Sequence, residues 1–506
     1  MKTWLGVAVA IASVATSLLY LSFEHRTGGF GFPLDDSWIH ARFAANLAAG
    51  NGLSFNPGEP STGSTAPLWS ALLAVPIGLG LGPIAGAKLL GILLAAVAAV
   101  LAAQLAHALS GSVRAALVAG LATAFSARLT WGSVSGMEVP LYTAATTWAL
   151  LEFVRYGAGR GWSWGLAAGA ATLARPEAGV LFPILAGWTL WQRDPALPPK
   201  AARRGVLQAA AVFALLVGGN VLVNLITSGH PLPATFYAKT GGAGLLNALG
   251  RLDLSEIVRS LGPRPFGTLN QFVRFAFEQS ALLTLLVLPG ILGLLGLLRS
   301  PVGRGAPVAL VLLLSPLLVG ALAPVSPYLM QEGRYVSHLL LLFFVVAALG
   351  AVELASKSKY PTLVWGLGAL AVLRLLSQDV QFAPQYAAQV DNINRMHVRM
   401  GHWLAEQTPP DASIAVSDIG ALGYFSGRRI IDLEGLITPS VLPYRTERRY
   451  VEFVEHERPQ LLVIFPEWYP ELVGRADRFR EVHRITVPRV TAAHDAMVVY
   501  ATPWTR

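Results

Sequence analysis

The sequence predicts a polytopic α-helical membrane protein that ends in a small α/β domain outside the bilayer. Three observations carry this. Of 506 residues, 54% are hydrophobic and only 13% are charged, where soluble domains carry about 25% charged residues, and the mean hydropathy is +0.52. Apolar runs long enough to span recur along most of the chain. From about Gln381 onward charged residues become frequent and short β-rich runs appear. The formal net charge of +9 sits in short loops between apolar runs, where it sets orientation and is no footprint for nucleic acid. The chain has no cysteine, which excludes disulfides and thiolate metal sites.

The first apolar run, residues 3–23, follows Lys2 and suits an uncleaved signal anchor. Residues 83–109 and 115–131 are the next runs of spanning length. Basic clusters then recur: Arg155 with Arg160; Arg193 with Lys200, Arg203 and Arg204; Arg299 with Arg304; Lys357 with Lys359. With all of these cytoplasmic, the N-terminus is inside. A long first loop (24–82), Gly136-Met137-Glu138, a second long loop (228–280), residues 325–335 and the tail then lie outside. The arrangement needs 37–49 and 66–81 to be helices on the outer surface; the second is short and contains Pro67 and Pro76. Residues 164–191, broken at Arg175-Pro176-Glu177, read as two short helices meeting at membrane depth, because proline removes an amide donor and disfavours helix just before it. Such a break is tolerated where it lines protein or water. The count is about 11 transmembrane segments, two of them short, within a module covering 1–380, delivered to the tail by the run 361–376. Residues 381–506 form the second domain, with strands expected at 413–417, 429–433 and 461–465 in a partly parallel sheet. The expected location is the plasma (inner) membrane, multi-pass, with a cytoplasmic N-terminus, an extracytoplasmic tail and membrane lipids as neighbours.

Chemistry concentrates just after the first span, in Pro33-Leu34-Asp35-Asp36-Ser37-Trp38-Ile39-His40. Carboxylates are costly near a bilayer, so a pair at its edge marks a functional site unless it is an ordinary solvated loop. One of two can act as a base while the other positions a hydroxyl. His40 lies four residues after Asp36 and shares its helix face. Glu138 is a second acidic group at an outer loop or a cap of the helix that follows. Arg175 and Glu177 either face a cavity or pin two helices together. The spacing of His and carboxylates shows no metal-site cluster, so no structural metal is expected.

Several stretches together resemble the GT-C glycosyltransferases. They are DDSWIHARFAANLAAGNGLSFNPGEPSTGSTAPLW (35–69), SGMEVPLY (135–142), LARPEAG (173–179), GHPLPATFYAKTGG (229–242), GRYVSHLLLL (333–342) and SDIGALGYFSGRRIIDLEGL (417–436). The branch most similar contains the actinobacterial cell-wall arabinofuranosyltransferases and uncharacterised bacterial relatives, and the likeness covers almost the whole chain. It departs at Gly63-Ser64-Thr65-Ala66-Pro67-Leu68-Trp69, where the family often reads Gly-Tyr-Thr-Asn before Leu-Trp. That change removes a polar acceptor contact and leaves the sugar open.

The resemblance implies a polyprenyl-phosphate-linked sugar donor and transfer, with inversion, to a hydroxyl of an envelope glycan, glycolipid or glycoprotein acceptor on the outer face. Because the leaving phosphate is already ionised, the reaction needs a carboxylate near the incoming hydroxyl and cations near the phosphate. On that reading Asp35 is the leading base, with Asp36 sharing the role or binding acceptor, and Glu138 holds sugar hydroxyls. Lys239 and Arg334, the latter beside Tyr335, either meet the phosphate or snorkel toward headgroups. His230 and His40 are weaker substrate contacts, and Tyr237 is either a sugar contact or an interfacial anchor. No cofactor is required; a loosely held divalent cation between Asp35, Asp36, Glu138 and the donor phosphate is the alternative. Two other classes share these features: a transporter or flippase of lipid-linked substrates, and a noncatalytic scaffold for envelope assembly.

Overall fold

The computed structural model describes residues 2–192, 198–241, 243–296, 303–322 and 330–505. Arg193, Arg299 and residues 325–329 of the expected outer loop fall outside them. Among the described residues, five segments are long and apolar enough to cross a membrane: Thr3–Thr27, Pro83–Ser110, Pro199–Ser228, Gln331–Lys357 and Pro361–Gln407. A sixth forms if Val113–Ala124 and Ala127–Val134, bent by 55°, make one span. The helices Pro67–Gly78, Ala281–Gly296 and Ala306–Leu322 are apolar but shorter.

The helix Ser337–Lys357 is the axis of the helical module, with every residue from Ser337 to Ala351 buried. A helix apolar on all sides needs partners on all sides, and close contact with Ala281–Gly296 is made through glycine. A Cβ on Gly350 would sit 1.8 Å from the Leu286 carbonyl oxygen, so the two backbones touch as small-residue helix pairs in membranes do. Lys88 donates to both carboxylate oxygens of Glu24 at 2.7 Å and to the Tyr386 hydroxyl at 2.9 Å. This buried pair, with its hydrogen bonds satisfied, joins the first, second and last long helices. Helices form at both places where outer-surface helices are expected, as Asp35–Ala48 and Pro67–Gly78. The loop expected at 228–280 is largely helical, with Ala234–Thr240, Leu245–Arg251, Leu254–Leu261 and Pro263–Gln279.

No break falls at residue 381. Helix Pro361–Ile393 continues through a π-turn into Arg399–Gln407, a rod of 47 residues, or roughly 70 Å at ~1.5 Å per residue. It feeds a five-stranded sheet of β1 (Ser413–Val416), β2 (Arg429–Asp432), β3 (Leu461–Ile464), β4 (Arg480–Thr486) and β5 (Ala496–Ala501). The order is β2-β1-β3-β5-β4. The first three strands are parallel, and β5 runs antiparallel to both of its neighbours. The three strands legible in the sequence are buried apolar runs. Edge strand β4 reads Arg-Glu-Val-His-Arg-Ile-Thr and is mostly exposed, so its charges hide it from a hydrophobicity reading while blunting the sheet edge.

The first loop and the tail share one hydrophobic core. Ile39, Phe43 and Phe55 pack with Met396, Met400, Ile414, Val416 and Leu422. Asn56 pairs with Ile430 through both its oxygen and its nitrogen at 2.9 Å, extending the free edge of β2. The tail is therefore seated on the loop that carries the acidic pair.

Candidate active site

Asp35 and Asp36 open the helix Asp35–Ala48, where the helix dipole favours negative charge. Consecutive residues on a helix point about 100° apart, and the two carboxylates meet different partners. Asp35 turns to the tail and accepts from the Gly420 and Ala421 amides, each at 2.7 Å. The approach requires glycine: a Cβ on Gly420 would lie 2.0 Å from the Asp35 carbonyl oxygen. Nearby, His397 Nε2 is 2.8 Å from Asp418 Oδ2. Burial pushes the Asp35 carboxyl up to about 6; His397 pulls it down, Asp418 pushes it up, and the two amides pull it down.

Asp36 turns the other way. Its Oδ2 accepts from Arg334 Nη2 and from Gln331 Nε2, both at 2.9 Å. Burial opposes its ionisation, but Arg334 and then Lys239 hold it at about 2. Arg334 is delivered by a strained segment. Gln331, Glu332 and Gly333 all take left-handed backbone angles, with φ of 53°, 60° and 73°. Such conformations cost about 1–3 kcal/mol each where the side chain is not glycine, and they cluster at functional sites. Glu332 is fixed there by an ion pair with Arg128 and by the Gln389 amide, which donates to it at 2.8 Å.

Glu138 precedes the helix Val139–Tyr156 but makes no side-chain cap. It is fully buried, with Arg175 on one oxygen and His40 Nε2 3.2 Å from the other. Burial alone would raise its pKa; Arg175 and His40 instead hold it well below the usual carboxylate range. Arg175 also grips Glu177 at 2.8 and 3.2 Å, so the broken helix joins an extended ion-pair network. The Arg175 guanidinium lies 4.4 Å over the Tyr335 ring. Arg334 and Lys239 approach the Tyr335 hydroxyl at 3.2 and 3.4 Å. Three cations thus surround one phenol.

This cluster separates two chambers. One, of about 600 Å³ beneath the tail, is lined by Asp35, Asp36, Gln331, His397, Asp418 and Trp468 among others. The other, of about 200 Å³, is lined by the charged or polar Arg175, Glu177, Lys239 and Tyr335 and by apolar residues that include Phe236, Leu318 and Leu322. His230 and Tyr237 stand apart, their rings tilted with centroids 5.0 Å from each other, and line a third cavity of about 720 Å³ that also touches Lys239 and Arg445. Among the described residues, no three His, Asp or Glu side chains come together as a metal cluster.

The structure therefore gathers Asp35, Asp36, His40, Glu138, Arg175, Glu177, Lys239, Arg334 and Tyr335 around one partition. Gln331, His397, Asp418 and Gly420 also belong to it and were not singled out as site residues in the sequence. For Asp418 and Gly420 a signal existed, the stretch 417–436 that carries part of the GT-C resemblance. His397 sits in a helix with nothing local to mark it.

One protein family, described as a domain of unknown function (DUF8728), matches residues 384–500. No curated protein sequence matches the chain. Solved structures do share its fold. The oligosaccharyltransferase AglB from Archaeoglobus fulgidus, in complex with an inhibitory peptide and a dolichol-phosphate, aligns with a TM-score of 0.59 at 14% identity, over 92% of this chain and 69% of its own. ArnT from Cupriavidus metallidurans, bound to undecaprenyl phosphate, aligns with a TM-score of 0.58 at 15% identity, over 98% and 97%. The arabinofuranosyltransferase AftD from Mycobacteria aligns with a TM-score of 0.53 at 16% identity; this chain is covered to 99% and spans 40% of that one. All three are GT-C glycosyltransferases, and the chain has their fold.

Proposed function

We propose that this chain transfers a sugar from a polyprenyl-phosphate donor to an acceptor hydroxyl on the outer face of the plasma membrane, with inversion. The observation that carries the reading is the partition itself: Lys239, Arg334 and Arg175 around Tyr335 stand between an apolar chamber and one lined by carboxylates. The polyprenol lies along Phe236, Leu318 and Leu322, and its phosphate meets Lys239 and Arg334. The lipid phosphates that AglB and ArnT hold support a donor of this class. The acceptor enters beneath the tail. Asp35 takes the hydroxyl proton as the oxygen attacks the anomeric carbon from the face opposite the phosphate. The anomeric carbon–oxygen bond breaks, and polyprenyl phosphate departs with its charge met by fixed cations, so no acid is needed at the leaving group. Asp36 keeps Arg334 in place, and Glu138 with His40 keeps Arg175 in place.

The ion pairs also support a transfer that needs no divalent metal. Asp36, Glu138 and Glu332 each already face an arginine. Purified protein in liposomes should release free polyprenyl phosphate from a lipid-linked sugar, and chelator should leave the rate unchanged. Movement of intact lipid without cleavage would identify a transporter, and neither activity a scaffold. Loss on chelation with rescue by magnesium, manganese or calcium would place a cation among Asp35, Asp36, Glu138 and the phosphate.

Counting Gly161–Ala174 and Leu181–Trp191 as the two short segments, with the helical elements above, supports eleven crossings and an extracytoplasmic tail. The chain has no native cysteine, so single exchanges report cleanly. Pro57→Cys and Asp477→Cys, at exposed positions, should react with an impermeant thiol reagent from outside, and Lys359→Cys only after the membrane is opened. Outside labelling of Lys359→Cys would invert the topology.

A further inference from the structure

We infer that the chamber beneath the tail is a binding site for an uncharged saccharide, and that the tail domain reads this acceptor through Ser417, His397 and Trp468. The inference rests on the transferase reading for what happens at Asp35, and on the chamber's own chemistry for what occupies it.

Three residues that line that chamber each carry a buried polar atom with no partner among the described residues: Gln331 Oε1, His397 Nδ1 and Ser417 Oγ. His397 and Ser417 are 0% and 3% exposed. A polar group buried without a partner is costly, and three on the walls of one cavity, from three separate segments, point to a ligand that satisfies them together. Their chemistry selects it. Gln331 Oε1 only accepts, and its amide nitrogen already serves Asp36. Burial opposes charge on His397, but its bond to Asp418 and the charges of Asp35 and Asp418 raise its pKa, and in the protonated ring Nδ1–H donates. Ser417 does either. The site therefore asks for groups that both donate and accept, which a polyol supplies at every hydroxyl. Asp35, Asp36 and Asp418 on the same walls add acceptors and repel anions.

Topology points to the same place. In open sheets, ligands sit in the crevice outside the carboxyl ends of parallel strands. Ser417 and Asp418 follow β1 directly, Leu436 follows β2, and Trp468 follows β3, and all four line the chamber. Trp468 is 37% exposed, packed against Phe465 and His494, with aromatic surface left open at the rim. Such a surface takes the C–H side of a sugar ring. A volume of about 600 Å³ lies within the ~300–1,000 Å³ typical of small-ligand sites.

The test traps the occupant without naming it in advance. Ala493, which lines the chamber, and separately its neighbour Thr491, are exchanged for a diazirine-bearing amino acid in the full chain. Intact cells are irradiated, and the adduct is read by mass spectrometry. The expected adduct carries pentose or hexose spacings and is absent when the same amino acid replaces the half-buried Arg475, which does not line the chamber. Trp468→Ala should lower its yield about 2- to 10-fold, the equivalent of a lost aromatic contact, and Trp468→Phe should retain it. A phospholipid or peptide adduct, or yields at both chamber positions no higher than at Arg475, would overturn the inference. Release of polyprenyl phosphate is measured independently. Release with a sugar-free adduct removes the saccharide site and leaves the transferase; a sugar adduct without release does the reverse.

Discussion

Asp35→Asn loses about 10²–10⁴-fold in turnover, the usual cost of removing a general base, while donor binding persists. The amide cannot take the acceptor's proton. It also meets the Gly420 and Ala421 N–H groups with one oxygen where Asp35 offers two. One contact becomes donor against donor, so a modest stability loss accompanies the rate loss. The wild-type pH profile carries a second signature. A base works only when deprotonated, and burial sets the Asp35 carboxyl at about 6. Turnover should be full above that pH and fall tenfold per unit below it, and the variant's residual rate should lack this limb. Asp36, held at about 2 by Arg334 and Lys239, contributes no limb between pH 4 and 8, a window bounded by roughly two units on either side of the Asp35 value. Wild-type turnover in Asp35→Asn, or an acid limb that survives it, removes Asp35 from the proton transfer.

Arg334→Gln has the second largest effect and separates support from chemistry. Arg334 is buried and paired with Asp36, and breaking one side of a buried pair costs about 3–5 kcal/mol because the other charge stays behind. The variant should unfold at a clearly lower temperature and bind donor poorly. The double exchange Arg334→Gln with Asp36→Asn removes the orphaned charge and should recover most of the stability. Turnover should stay down by about 10²–10³-fold, since the cation facing the departing phosphate is still missing. Thermal unfolding beside the phosphate-release assay reads both. Recovered turnover in the double variant would make Arg334 a structural ion and nothing more.

The contrast between the two carboxylates shows where sequence reasoning stops. As text, Asp35-Asp36 is a symmetrical pair. In the fold each belongs to a different neighbourhood: Asp35 to amides of a helix some 385 positions later, Asp36 to an arginine that directly follows a left-handed segment. Lys239 and Arg334 were legible as cations at an outer edge, because charge amid apolar runs is conspicuous. Their convergence on one tyrosine hydroxyl was not. His397 and Ser417 read as ordinary polar residues, and only packing leaves one atom of each without a partner.

What the sequence determined by itself is what local composition and periodicity encode: a helical membrane module, its order of apolar runs, the acidic pair after the first of them, and three buried strands in the tail. Those features depend on how each residue partitions between water and an apolar medium, a property it carries wherever it lies. Tertiary structure alone decided the rest. It seated the tail on the first loop through Gly420, divided the site into two chambers around Tyr335, and gave adjacent aspartates carboxyl pKa values near 6 and near 2. These depend on distances of a few ångströms between residues hundreds of positions apart, and an electrostatic environment exists only once those distances do.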